Sequence, residues 1–354
     1  MSETHWLRRR WKLVVNVITL LALLLVIYGT RHQIGGTIHN LGQVHAWALL
    51  LMIPIEALNY HAQARLYQRL FAIVGNRMSY KFLVKASLEL NFVNHVFPSG
   101  GVTGLSYFTL RLRKGKELSS GKATLVHAVK IGLYIVAFEL LLVFGLFCLA
   151  VMGRVNNLVI LVSSSLATLM IVSTLTFVYI VGSRSRINNF FTGVARAVNR
   201  LIHVVRPGYP ETISIERARG LFDDFHNTYQ EIKKNYGQLK VPFLYALLAD
   251  STEVAAVYVV YLAFGKPVNV GAVILAYGIA NFAGLISVMP GGVGIYEALM
   301  TAVLASTGVP PGVSLPVTVM YRVINTLIQI PPGYYLYQRA IRRGEQPPGA
   351  VNAI

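Results

Sequence analysis

Two cations stand in apolar stretches where charge is costly: Lys130 and Arg322. An ionisable residue inside a membrane span normally faces the protein interior or a water-filled cavity. Arg322 heads a stripe with Asn325 and Gln329, three and seven residues on, and Glu297 is its candidate partner upstream. The chemistry on offer is either an ion pair with Glu297 or a bidentate grip on a phosphate. Lys130 shares a helix face with His127 and Tyr134, and either points into the protein or snorkels to the interface. Two glycine turns accompany these cations, Pro98-Ser99-Gly100-Gly101 and Pro290-Gly291-Gly292-Val293-Gly294. A half-helix beginning at Gly294 would aim its unpaired N–H groups and positive dipole end at an anion. The same glycines could equally serve only the turn and tight helix packing. Glu56 (in a stripe with Asn59 and Gln63), Glu139, Asp250 and Glu253 are further acids in apolar surroundings. They either couple transport to a proton or cation, or neutralise Lys130 and Arg322. The nine histidines form no metal pair on a helix face, and there is no nucleophile elbow or Walker loop. No metal, cofactor or catalytic residue is expected, and the reading is of a protein that is not an enzyme.

These residues sit in an unusual chain. Of 354 residues, 55% are hydrophobic and only 13% charged, half the charged share of ordinary globular domains, which is about 25%. Mean hydropathy is +0.55. Gly and Pro together number 44, which excludes collagenous and low-complexity classes, and the lone Cys148 excludes a disulfide framework. What remains is an all-α, polytopic membrane protein. Leu13–Tyr28 follows a basic N-terminus without a cleavage pattern and reads as a retained first span within residues 1–30. Further full spans are expected near 44–62, 123–152, 157–181, 241–264 and 313–338, each near or above the ~20 residues needed to cross.

Two more apolar stretches, 82–110 and 269–308, are broken in the middle by the glycine turns. Each reads as a re-entrant hairpin that leaves on the side it entered. Charge supports this. With both as hairpins, segments 61–88, 111–122, 182–240 and the two termini share one face and carry 27 of the 32 Lys and Arg. That satisfies the positive-inside rule with both termini cytoplasmic. The net charge of +18 is thereby explained without nucleic acid.

The halves also correspond. The turns lie 192 residues apart, and Pro98 to Lys130 and Pro290 to Arg322 are both 32 residues. Three intervening spans make the hairpins enter from opposite faces, an inverted repeat of the kind that marks a transporter's midplane site. The expected organisation is one membrane domain, 1–354. Half 1 covers 44–152, 157–181 is a linking span, 182–240 a cytoplasmic amphipathic loop, and half 2 covers 241–338. The loop's basic face suits an anionic membrane surface, and a second helix in it would carry Leu221, Phe225, Tyr229 and Ile232.

Met289-Pro290-Gly291-Gly292-Val293-Gly294-Ile295-Tyr296-Glu297, then Gly308-Val309-Pro310 and Tyr321-Arg322, resemble the integral-membrane domain of bacterial lysylphosphatidylglycerol synthases. The resemblance covers roughly residues 10–340. It implies a flippase-type role in a bacterial cytoplasmic membrane, moving a phosphate-bearing lipid between leaflets. The synthases' separate catalytic domain finds no counterpart before Ile354, so aminoacyl transfer is not implied. The candidate substrate-binding set is Arg322, Glu297, Gly291, Gly292, Gly294, Lys130, Ser99, Gly100, Gly101 and Asn325. An ion-coupled transporter of a small anion, or an accessory subunit of a lipid-modifying enzyme, are the alternatives. Expected partners are a lipid-phosphate substrate, the anionic membrane surface, and either a second copy or a separate lipid-modifying enzyme.

Overall fold

The structure, a computed structural model, describes residues 28, 42, 44–97, 102–113, 118–190, 192–193, 196, 215–286 and 294–342. The expected first span, the turn residues Ser99, Gly100, Gly101, Gly291 and Gly292, and most of the amphipathic stretch beyond 190 lie outside them. The described residues are helical and contain no strand. In chain order the helices are α1 (Ala46–Leu49), α2 (Met52–Ile73), α3 (Tyr80–Val96), α4 (Val102–Arg113), α5 (Ser120–Val151) and α6 (Asn157–Val181). After the loop come α7 (Ile215–Lys234), a 3-10 turn at Tyr236–Leu239, α8 (Lys240–Ala263), α9 (Val270–Ile286), α10 (Ile295–Ser306) and α11 (Pro311–Arg342).

Local chemistry sets these boundaries. Ser119 accepts from Lys122 N at 3.2 Å and Asn156 from Val159 N at 2.9 Å, capping α5 and α6. The ends of α2 and α8 are built alike. Gly75 and Gly265 take φ of 76° and 63°, the left-handed conformation that L side chains resist. In each turn the following N–H reaches back: Asn76 to Phe71 O at 2.8 Å, Lys266 to Tyr261 O at 3.1 Å.

Among the described residues, four stretches are long and apolar enough to cross a membrane: α5, α6, Tyr236–Ala263 and α11. The protein is a polytopic membrane protein. The span expected at 44–62 takes a different form. The chain breaks at Leu50–Leu51 and α2 then runs eleven residues beyond 62, to Ile73, carrying Arg65 and Arg69. A helix need not be apolar where protein, rather than lipid, covers its polar face. Glu56, Asn59 and Gln63 are buried in this way. Outside, the pattern reverses: Val143, Phe147, Leu161 and Leu175 of α5 and α6 are all more than 60% exposed. Polar groups inside and an apolar belt outside are what a lipid solvent selects.

Two quartets of helices match in length. The helices α2, α3, α4 and α5 have 22, 17, 12 and 32 residues; α8, α9, α10 and α11 have 24, 17, 12 and 32. The first members pack antiparallel, with His45 N donating to Ala263 O at 2.8 Å and Asn59 Nδ2 to Ala249 O at 3.0 Å. Across the quartets, α3 lies on α11 and α9 on α5. Both crossings are close. A Cβ on Gly333 would sit 2.7 Å from Leu88 O, and one on Gly271 would meet the Gly145 carbonyl oxygen. The last helices differ in one respect: α11 contains Pro316, Pro331 and Pro332, whereas α5 has no proline. In the loop, α7 buries Phe225 and Ile232 as expected of its apolar face.

A polar cavity between the helix quartets

Each 12-residue helix folds back beside its predecessor. In the first pair, Glu89 on α3 accepts from Arg111 Nε and Tyr107 OH on α4, both at 2.7 Å. In the second, Gly294 is the N-cap of α10, with φ of 88°. Glu297, in the first turn, bends back so that Gly294 N donates to its Oε2 at 2.6 Å. Its other oxygen accepts from Arg322 Nη1, and the Arg322 guanidinium lies 4.8 Å from the centre of the Tyr296 ring. The carboxylate therefore takes the place at the helix end that the sequence offered to a ligand anion.

Between the quartets lies a cavity of about 430 Å³, into which both cations face. Lys130 is only 7% exposed and donates to Gln63 Oε1 at 3.3 Å. Its ammonium sits 4.9 Å from the ring centres of both Tyr67 and Tyr134, a cation–π arrangement, with the Asp250 carboxyl within electrostatic reach. The snorkelling alternative is thereby excluded. A chain of hydrogen bonds runs on from Lys130. Gln63 Nε2 donates to Asn59 Oδ1 at 2.6 Å, and Asn59 Nδ2 to Glu253 Oε1 at 3.2 Å. Tyr321 OH donates to Glu253 Oε2 at 3.1 Å. Gln329 Nε2 donates to both Asn325 Oδ1 (3.1 Å) and Glu56 Oε2 (3.0 Å). All four helices that carry these groups, α2, α5, α8 and α11, contribute to one connected network.

Of the residues expected from sequence, Lys130, Arg322, Asn325, Asp250 and Glu253 line the cavity. Glu297 and Glu56 stand behind it, through Arg322 and Gln329. Glu139 is on α5 but does not line the cavity, and Gly294 serves as the cap of α10.

Residues 13–333 match the profile of the lysylphosphatidylglycerol synthase TM region. The chain belongs to that family. The match is to the transmembrane part of these synthases. Among curated relatives, a UPF0104 membrane protein of Pyrococcus horikoshii is 24% identical over 246 residues, 66% of this chain and 69% of the relative. One from Methanocaldococcus jannaschii is 21% identical over 266 residues, covering 74% and 75%. A third, from Methanothermobacter thermautotrophicus, is 32% identical over 97 residues, only 27% of this chain and 29% of the relative.

In this member of the lysylphosphatidylglycerol synthase transmembrane-region family, sequence reasoning missed Asn91, His95, Tyr277 and Asn281, which all face the cavity. The signal was present. Asn91-Phe92 and Asn281-Phe282 lie 190 residues apart, as do Gly75 and Gly265, and as do Gln63 and Glu253. A search at that offset, rather than at the glycine turns, would have found Asn91 and Asn281, though not His95 or Tyr277. Glu89 on α3 is 1% exposed and paired with Arg111.

Proposed function

We propose that this protein moves a phosphate-bearing lipid between leaflets, as a flippase or scramblase, with the headgroup passing through the cavity and the acyl chains remaining outside. The observation that carries this reading is the pair Lys130 and Arg322, facing one polar cavity inside helices whose outer surfaces are apolar. A cation in such a place is expensive unless it serves a ligand or pathway. The volume of about 430 Å³ accommodates a polar headgroup, and membership of the family is in keeping with a role in lipid handling.

The same proposal relates the quartets as an inverted repeat, with α3–α4 and α9–α10 dipping into the bilayer from opposite faces. Three features support it: the matched helix lengths, the antiparallel α2–α8 pair, and the 12 residues of α4 and α10. Twelve residues rise about 18 Å, short of a hydrocarbon core about 30 Å thick. In use, an arriving phosphate competes with Glu297 for Arg322, while Lys130 offers a second cation less tightly held.

The test is reconstitution into vesicles carrying a fluorescent phospholipid, with exchange read by dithionite quenching of the outer leaflet. Wild type speeds loss of the protected fraction and Arg322→Ala does not. Equal rates in the two, with the variant folded, would refute the assignment.

A further inference from the structure

The polar groups that line the cavity are of two kinds. Some are spent on one another: Gln63 on Asn59, Gln329 on Asn325, and the two oxygens of Glu253 on Asn59 and Tyr321. Asp250, Asn91 and Asn281 line the same space and are spent in part or not at all. Among the described residues Asp250 makes no hydrogen bond and no ion pair. Its Oδ2 is enclosed by protein, which leaves Oδ1 as the atom turned to the cavity. Asn91 bonds Tyr60 OH at 3.0 Å and Asn281 bonds Tyr277 O at 2.9 Å, each through one end of its amide. The other end of each amide meets no partner among the described residues, whichever way round the group sits.

Lys130 faces Asp250 across this space. The two are within electrostatic reach but further apart than an ion pair, and among the described residues the ammonium donates to Gln63 alone. An ammonium offers only donors and a carboxylate only acceptors. A ligand atom seated between them must accept from the one and donate to the other, and a hydroxyl does both. A headgroup ammonium would bring a like charge against Lys130, and a second phosphate would bring one against Asp250. The leftover amide ends suit hydroxyls as well, since an amide can donate or accept. Asn91 is on α3, which lies on α11, the helix of Arg322; Asn281 is on α9, which lies on α5, the helix of Lys130.

We propose that the lipid carries a neutral polyol (glycerol, inositol or a sugar) on its phosphate, with the phosphate at Arg322 and a polyol hydroxyl bridging Lys130 and Asp250. This names the substrate class of the transport reading and rests on it. Asp250 then determines specificity. A buried carboxylate without a donor is costly, and the hydroxyl of a polyol supplies that donor where an ester lacking one does not. A site built to bond a substrate hydroxyl rejects analogues without it far more strongly than an apolar pocket rejects a missing methylene.

The test is exchange in vesicles holding the full-length protein and one phospholipid with a fluorescent acyl chain: phosphatidylglycerol, phosphatidylinositol, phosphatidylethanolamine or phosphatidic acid. The glycerol and inositol lipids are expected to exchange about tenfold faster than the other two, the worth of one hydrogen bond to a charged group. Asp250→Ala brings them down to the rate of the others, and Asp250→Asn, which keeps an acceptor, recovers part of the difference. Headgroup binding is read separately in detergent, where a ligand of the native state raises the melting temperature. Glycerol phosphate and inositol phosphate are expected to raise that of wild type, and phosphoethanolamine at equal concentration is not. Equal exchange of all the lipids, faster exchange of the ethanolamine lipid, or an intact polyol preference in folded Asp250→Ala would each overturn the assignment while leaving transport in place. Stabilisation by the polyol phosphates without exchange of any lipid would uphold the headgroup preference and overturn transport instead.

Discussion

The two folded-back helix pairs, α3–α4 and α9–α10, have the same lengths and opposite bracing. In the first, the buried charge pair is internal: Glu89 on α3 holds Arg111 and Tyr107 on α4. In the second, Glu297 reaches out of the pair to Arg322 on α11, and closes its own helix through Gly294 N. One pair is clamped to itself and the other is tethered to the cavity. A matched scaffold has thus put the same kind of interaction to different uses. A ligand at Arg322 competes directly for Glu297 in the second pair, and meets the first only where Asn91 and His95 of α3 line the same cavity.

Substitutions can break this contrast. The largest effect is expected from Arg322→Ala, which leaves Glu297 facing a lost partner; removing one member of a buried pair costs about 3–5 kcal/mol. Denaturation should show that loss together with abolished lipid exchange. Adding Glu297→Gln should restore part of the stability but none of the exchange, so full recovery of exchange would mean the pair is only structural. Next comes Glu89→Gln. It should destabilise by about 2–4 kcal/mol, since Arg111 keeps one neutral acceptor, yet leave exchange per folded molecule near wild type. A selective loss of exchange would show that both helix pairs take part.

Gly333→Ala and Gly271→Ala probe the matched crossings. A new methyl against backbone forces the helices apart, at about 1–3 kcal/mol each, and similar melting shifts in the two variants would sharpen the case for a repeat. The smallest effect belongs to Asn281→Ala compared with Asn91→Ala. Asn91 donates to Tyr60 OH at 3.0 Å, so its loss should cost about 1 kcal/mol. Among the described residues, Asn281 donates only to Tyr277 O, one turn back on its own helix, and its loss should be nearly silent in stability. In a Cys148→Ser background, Ser99→Cys and Gly291→Cys should label from opposite sides of a sealed vesicle. Labelling from one side would remove the inverted arrangement.

The sequence made the apolar helices and both cations legible because each is a local signal: a long apolar run, or a charge inside one. Stripes such as Glu56-Asn59-Gln63 and Arg322-Asn325-Gln329 were legible for the same reason, since helical spacing alone puts their members on one face. The 22-residue separation of Glu89 and Arg111 was not, because only the fold-back brings them together. Likewise the true end of α2 was hidden. Arg65 and Arg69 look like a cytoplasmic flank, and nothing local says that α8 shields the remainder of the helix. The direction of Lys130 was undecidable from one helix, because Tyr67 and Gln63, which receive it, come from another.

The prolines of α11 have a consequence for how the halves can move. Pro316 lies six residues before Arg322 and Pro331–Pro332 follow Gln329 after Ile330, so the rungs that would stitch both ends of this segment are missing from the backbone ladder. The stretch bearing the guanidinium can swivel as a short crank between two soft joints. Its counterpart, α5, is an unbroken rod of about 48 Å with no such joint.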